Sequence, residues 1–337
     1  MAYSGPYADI HRHGEANAWL DGILAERDGR PPYDWAAWRD SLRALPPGPA
    51  RLLQMAGPMP NEVRNDYLDD RGISRLVLAA CVGAAADSGA ILAEFRVGAN
   101  ASIQPGFVDN FRAAASSAAA RHPGFTAVAV LSGLWPERPG AMECIEACLE
   151  LGPTAFGGVD FIPFPYEEDV NWNEACVAAE RLKAAGFGIT IHAGEFTAKH
   201  LAAAMELPGL SRIGHGTHLA WQPALLRRAI ETGLVIECCV SSNALLGAVP
   251  SVEVHPLRRF VEDGARVVLA TDDPARFGTT IGAEYALAAR LGLDDHALAA
   301  CTRTSIEASF APAPEKRRLL EHFDGTTNRE PPLAPVP

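Results

Sequence analysis

The sequence predicts an α/β protein, a (β/α)8 TIM barrel with extra helices inserted after the first strand. Three observations carry that expectation. Eight short runs of β-type residues alternate with longer Ala-rich stretches of helical spacing, the signature of βαβ units on a parallel sheet. The 337 residues suit one large barrel with insertions. Polar residues collect where the runs end, and a barrel builds its chemistry at that end of its strands.

Taken in order, the runs are 8–13, 91–97, 126–132, 155–161, 188–192, 212–215, 234–239 and 266–271. Stretches 171–185 and 223–232 between them place apolar residues at helical spacing. The wide gap between the first two runs, 20–89, must hold the additional helices. Its Pro/Gly-rich parts, Pro31-Pro32 and Pro46 to Pro60, read as irregular connectors. Residues 1–327 read as a single catalytic domain, and 328–337, with four prolines, as a disordered tail.

Composition narrows the chemistry. Hydrophobic residues make up 48% and charged residues 21%, enough apolar material for a sizeable core. A net charge of −12 repels phosphate backbones, so no nucleic-acid partner is expected. The longest apolar run, 76–86, is too short to span a bilayer, so no membrane partner is expected either. The start, MAYSGPYADIHRH, has neither a basic nor an apolar signal region. Seven cysteines without a C-x-x-C pair point to reduced thiols and a cytoplasmic location. None of the three lysines (Lys183, Lys199, Lys316) follows a glycine, which excludes a G-K-[ST] phosphate loop. The dinucleotide G-x-G-x-x-G, the nucleophile-elbow G-x-S-x-G and the H-x-E…P-C-x-x-C zinc signature are all absent.

Histidines are the informative residues. His11, His13, His192, His215 and His218, five of ten, sit at or beside predicted strand ends. His11 and His13 alternate in one strand, so their imidazoles point the same way, as two ligands of one metal must. An isolated H-x-H is more often a pair of half-buried histidines, and Asp-Asp-Pro is as often a helix cap. Polar groups closing four strands in one register are not explained that way. His192-Ala-Gly-Glu195 ends the fifth run with a ligand type and an acid/base type. Gly214-His215-Gly216 follows, and Thr271-Asp272-Asp273-Pro274 ends the eighth run with paired carboxylates. The implied metal set is His11, His13, His192 and Asp272, an N3O group that suits one Zn2+ with an open position. Ligand type alone also admits Fe2+ or Mn2+. No lysine ends the fourth run, which argues against a binuclear site bridged by a carboxylated lysine. Strands one and eight, carrying His11 and Asp272, become neighbours only if the barrel closes.

These motifs resemble the adenosine deaminase family of the metal-dependent amidohydrolases. The family's H-x-H, H-A-G-E, G-H-G and T-D-D-P stand here as His11–His13, His192–Glu195, Gly214–Gly216 and Thr271–Pro274. Ser241-Ser242-Asn243, His255-Pro256, Phe277-Gly278-Thr279-Thr280 and Glu284-Tyr285 extend the match. The resemblance implies ligation by His11, His13, His192 and Asp272. It implies that Glu195 protonates the ring nitrogen beside the attacked carbon, that His215 orients the metal-bound water, and that Asp273 helps activate it and accepts a hydrogen bond from the substrate ring.

Two positions depart from the family pattern. The family's sugar-facing aspartate after H-x-H is Glu15 here, one methylene longer. The family glycine that gives its backbone N–H to the purine aligns with Pro163, which has none. Both touch substrate binding, and together they suggest that plain adenosine is not the preferred substrate. If the register shifts by a bulge, Ile162 becomes the donor. The remaining candidates read as structural. Cys144, Cys148 and the Cys238-Cys239 pair are packing residues, Glu167-Glu168-Asp169 is a solvated loop, and Arg96, near Glu94, forms a buried ion pair. The expected function is therefore hydrolytic release of ammonia from an aminopurine nucleoside or base by a small-molecule enzyme. The alternatives are cleavage of another C–N bond and an inactive binding barrel. The sequence does not specify an oligomeric state.

Overall fold

In the computed structural model, which describes residues 3–14, 16–56, 71–164, 166 and 168–327, all eight expected runs are strands. They are β1 (Tyr7–His13), β2 (Ala90–Gly98), β3 (Thr126–Leu134), β4 (Gly158–Phe161), β5 (Gly188–Ala193), β6 (Leu210–His215), β7 (Val235–Cys238) and β8 (Arg266–Leu269). β4 begins later than expected because the chain first turns, Ala155 N–H bonding the Gly152 carbonyl at 3.0 Å. β7 stops at Cys238 because Cys239 is already the N-cap of the helix Val240–Leu246.

The strands pair in parallel in the order β1 to β8. β1 and β8 meet through a bridge between Arg12 and Asp272: His13 N–H donates to the Asp272 carbonyl at 2.6 Å, and Asp272 N–H to that of His11 at 2.8 Å. Thr271 Oγ1 adds a bond to buried Asp9 Oδ2 at 2.6 Å. These bonds set the two chemically important strand ends side by side.

The opposite end is plugged. Gly158 and Gly188 open β4 and β5, and a Cβ on either would fall 2.1 and 2.0 Å from the Phe310 ring. Only glycine leaves room for that ring, over which the Arg212 guanidinium lies at 3.7 Å. The barrel is therefore accessible from the C-terminal ends of its strands.

Among the described residues, four helices follow β1: α1 (Ala16–Asp28), α2 (Trp35–Arg43), α3 (Pro49–Ala56) and α4 (Arg71–Asp87). α2 is capped by Asp34, which accepts from Ala37 N–H at 2.9 Å, and buries Trp38 and Leu42, one helical turn apart. α3 corrects the reading of Pro46 to Pro60 as an irregular connector. Pro49 opens a helix, the one place where a missing N–H costs nothing. Residues 57–60, and the tail 328–337, lie outside the described residues. No helix among the described residues is long and apolar enough to cross a membrane.

Candidate active site

The four proposed ligands converge at the open end of the barrel. His13 Nε2 lies 3.3 Å from His192 Nε2 and 3.3 Å from Asp272 Oδ1, and His11 Nε2 lies 3.7 Å from that oxygen. All four ligand atoms fall within 4.8 Å of one another. Ligands about 2.0–2.1 Å from a tetrahedral zinc are separated by about 3.3 Å, so the spacing fits one such ion. His11 Nε2 is buried without a hydrogen-bond partner, which is costly unless something binds its lone pair. Burial, then the charge of Arg96, holds His11 well below the usual histidine range, and burial lowers His13 to about 4. Neutral imidazoles are what a metal requires. Burial, then the charges of Asp273 and Glu195, pushes Asp272 well up, a repulsion that a cation would relieve.

Each ligand is aimed by a partner behind it. His11 Nδ1 donates to Glu237 Oε2 at 2.7 Å and His192 Nδ1 to Asp160 Oδ1 at 3.0 Å, leaving both Nε2 lone pairs forward. Ser242 Oγ donates to Asp272 Oδ2 at 2.6 Å, leaving Oδ1 for the cluster. Gly214 makes room for His11, since a Cβ there would lie 2.8 Å from His11 Cε1. His215 and Asp272 are the two described non-glycine residues with left-handed backbone, at φ 64° and 63°. Such backbone typically costs about 1–3 kcal/mol and persists where the surroundings hold it.

Arg96 is the buried ion-pair residue that the sequence suggested, but not with Glu94. Its Nε donates to Asp160 Oδ2 at 3.0 Å and its Nη2 to Glu237 Oε2 at 2.5 Å. Glu94 instead receives Arg212 Nη2 at 2.6 Å, and Arg212 Nε lies 2.8 Å from Glu237 Oε1. Burial opposes ionisation of Asp160, yet His192 and Arg96 hold its carboxyl well below the usual range. One guanidinium thus ties together the partners of His11 and His192.

Glu195, His215 and Asp273 line the same cavity of about 720 Å3 as His13, His192 and Asp272, with Leu52, Val97, Phe107 and Leu246 on its apolar walls. Thr217 Oγ1 pins the Glu195 loop through the carbonyls of Gly194 and Glu195, at 2.8 and 2.7 Å. Glu195 Oε1 is buried with no hydrogen-bond partner, and burial, then the charge of Asp273, raises its pKa to about 8. Asp273 stands at the N-cap of the short helix Pro274–Phe277, as a bland reading of Asp-Asp-Pro would have it. Its carboxylate makes no capping bond there.

His215 is held by a chain of bonds. Leu257 N–H donates to His255 Nδ1 at 3.1 Å, so His255 carries its proton on Nε2 and donates to Asn243 Oδ1 at 3.1 Å. Asn243 Nδ2 then donates to His215 Nδ1 at 3.0 Å. Burial keeps both histidines neutral at ordinary pH, lowering His255 to about 3 and His215 well below its usual range. His215 Nδ1 accepts, which leaves its proton on Nε2.

Other sequence candidates fall elsewhere. Pro163 is buried behind Ile162 and Phe164, which line the cavity wall. The bulge alternative is closed, because Ile162 N–H is spent on the Leu134 carbonyl at 3.0 Å. Glu15 and Glu167 lie outside the described residues, while Glu168 and Asp169 are exposed. His218 packs its ring on Trp221, outside the ligand cluster. All seven cysteines are free thiols. Cys239 joins His215 and Asp272 in a second possible ligand group, but burial, then the charge of Asp272, raises its thiol well above the usual range, making it a poor ligand.

The family model described as Adenosine deaminase matches residues 97–326. The chain belongs to the adenosine deaminase family. Over 150 residues it is 43% identical to an adenine deaminase of Mesorhizobium japonicum, covering 44% of this chain and 46% of that one. Over 151 residues it is 41% identical to an aminodeoxyfutalosine deaminase of Streptomyces coelicolor, covering 44% of this chain and 39% of that one. The matched stretches thus span less than half of either relative. Among solved structures, an adenine deaminase from Arthrobacter aurescens superposes with a TM-score of 0.78 over 97% of this chain and 100% of that one, at 22% identity. That likeness carries the barrel fold over 97% of this chain.

Proposed function

We propose that the protein is a metal-dependent hydrolytic deaminase that releases ammonia from the exocyclic amine of a 6-aminopurine. The observation that carries this reading is Glu195. Its carboxyl is buried, with Oε1 3.7 Å from His215 Nδ1 and without a hydrogen-bond partner, its pKa is raised to about 8, and it shares a cavity with His13, His192 and Asp272 of the ligand cluster. A protonated acid beside a metal site suits protonation of a ring nitrogen during addition at the neighbouring carbon.

His11, His13, His192 and Asp272 would hold one divalent ion, most consistent with Zn2+ by donor type. When bound, such an ion lowers the pKa of water from about 15.7 to about 7, supplying a nucleophile at neutral pH. Glu195 gives its proton to the ring nitrogen beside the amino-bearing carbon. Asp273 accepts the proton of the attacking water and hydrogen-bonds the substrate ring. His215, with its proton on Nε2, orients that water. Asp273 passes the proton taken from the water to the amine, which leaves as ammonia while the carbon gains oxygen. The adenine and aminodeoxyfutalosine deaminases among its relatives support an adenine-type ring. A cavity of about 720 Å3 lies in the range that holds whole drug-sized ligands, which favours a purine carrying a substituent.

The test is ammonia release across adenine, adenosine, 2′-deoxyadenosine, substituted 9-alkyl adenines and aminopyrimidines. The reading expects turnover confined to 6-aminopurines, with adenosine outpaced by another member of the series. Turnover of aminopyrimidines alone, or of none of these compounds, would overturn it.

A further inference from the structure

Residues 162–164, which follow β4 on the cavity wall, have no free backbone donor to offer. Ile162 N–H is bonded to the Leu134 carbonyl at 3.0 Å, Pro163 has no N–H, and Phe164 N–H is bonded to the Ile162 carbonyl at 2.9 Å. A purine ring placed with Glu195 at one pyrimidine-ring nitrogen presents its other, N3, across the ring from the attacked carbon. Desolvated on binding and left unpaired, that acceptor weakens binding by roughly 5- to 150-fold.

One side chain on this wall has a donor to spare. Tyr166 lines the cavity and is only 6% exposed. Its ring is fixed between Phe164, edge-on at 5.9 Å and 88°, and Phe196, tilted at 6.0 Å and 45°. The hydroxyl has no hydrogen-bond partner among the described residues, yet it is not one of the buried orphan atoms, so its oxygen keeps access to the cavity and is free to donate there.

Resting on the reading above, we propose that the Tyr166 phenol is the purine-recognition donor of this site, replacing the backbone amide lost at Pro163 and hydrogen-bonding the ring nitrogen opposite the attacked carbon. The surroundings keep it a donor. Burial, then the negative charges of Glu195, Asp160 and Asp272, raises its pKa well above the usual phenol range, so it stays protonated at any working pH. Tyr166 lines the same cavity as Glu195, His13, His192 and Asp272. A purine spanning Glu195 and Tyr166 is thereby gripped at both nitrogens of its six-membered ring. A pyrimidine lacking the fused ring would not bring its acceptors into the same register.

The experiment compares wild type with Tyr166→Phe, which keeps the ring packing and removes only the O–H. Two pairs are measured on the metal-replete protein: kcat/KM for adenine and 3-deazaadenine, and Kd by calorimetry for hypoxanthine and 3-deazahypoxanthine. The deaza compounds replace the N3 acceptor with C–H. Wild type should favour each nitrogen compound over its deaza partner by roughly 5- to 150-fold, and Tyr166→Phe should erase most of that preference in both measurements. An unchanged preference, or an equal loss on both members of each pair, overturns the proposal. The binding arm separates the two readings: if hypoxanthine binds with a Tyr166-dependent preference but adenine is not deaminated, the proposed reaction fails while the recognition role stands.

Discussion

Arg96 Nη2 lies 2.5 Å from Glu237 Oε2, the same carboxylate oxygen that receives the His11 Nδ1–H at 2.7 Å. One oxygen therefore both neutralises a buried guanidinium and sets the tautomer of a metal-site imidazole. Glu237→Gln keeps the shape but removes the charge. It should weaken metal affinity by about 10–100-fold. It should also destabilise the fold by about 3–5 kcal/mol, because Arg96 and Arg212 both lose a buried partner. Competition with a fluorescent chelator measures the first and chemical denaturation the second. Unchanged affinity would show that Glu237 only balances charge.

The ligand geometry fits one ion, so the purified protein should carry close to one metal per chain. His192→Ala should lose most of it, since the ligand set falls from four to three. Elemental analysis decides the point, and two metals per wild-type chain would contradict it.

Glu195 must be protonated to act as the acid, and its pKa is raised to about 8. The active form is present below that value and lost above it, so kcat/KM should decline tenfold per pH unit on the alkaline side. Glu195→Gln cannot donate a carboxyl proton. It should lose about 10²–10⁴-fold in kcat while its melting temperature stays near that of wild type, since the amide is isosteric with the protonated carboxyl. A profile flat to pH 10 would remove Glu195 from the acid role.

Asn243 connects His255 to His215, and its Nδ2 donor fixes which His215 nitrogen carries the proton. Asn243→Asp replaces that donor with an acceptor and favours the other tautomer. It should depress kcat by about 10²-fold or more, with a smaller effect on KM. Nitrogen-15 shifts of the His215 imidazole check the tautomer directly. An unchanged Nε2–H tautomer in the variant would sever the chain of argument.

Much of this was legible in the sequence, for physical reasons. Strand alternation and the H-x-H, H-A-G-E, G-H-G and T-D-D-P ends are local features, and the parallel β1–β8 order brings those ends together. Glu237 was not singled out, although a lone charge inside the apolar Val235–Cys238 strand was a signal that it had a buried partner. The partners of Arg96 were unreadable because Asp160 and Glu237 lie 64 and 141 residues away. Only barrel closure sets them side by side. The helix at Pro49 was missed because proline at a first helical turn looks like proline in a loop until the hydrogen bonds are seen. Tyr166 escaped notice for a related reason: what sets it apart is a hydroxyl without a partner, which no local pattern encodes.

The central claim is a single-metal deaminase, and metal titration of ammonia release tests it most directly. Chelator-stripped protein is assayed on its best 6-aminopurine while Zn2+ is added back in substoichiometric steps. Activity should be negligible without metal and rise linearly to a break at one equivalent per chain. Full activity in the stripped protein, or a rise that continues to two equivalents, would contradict it.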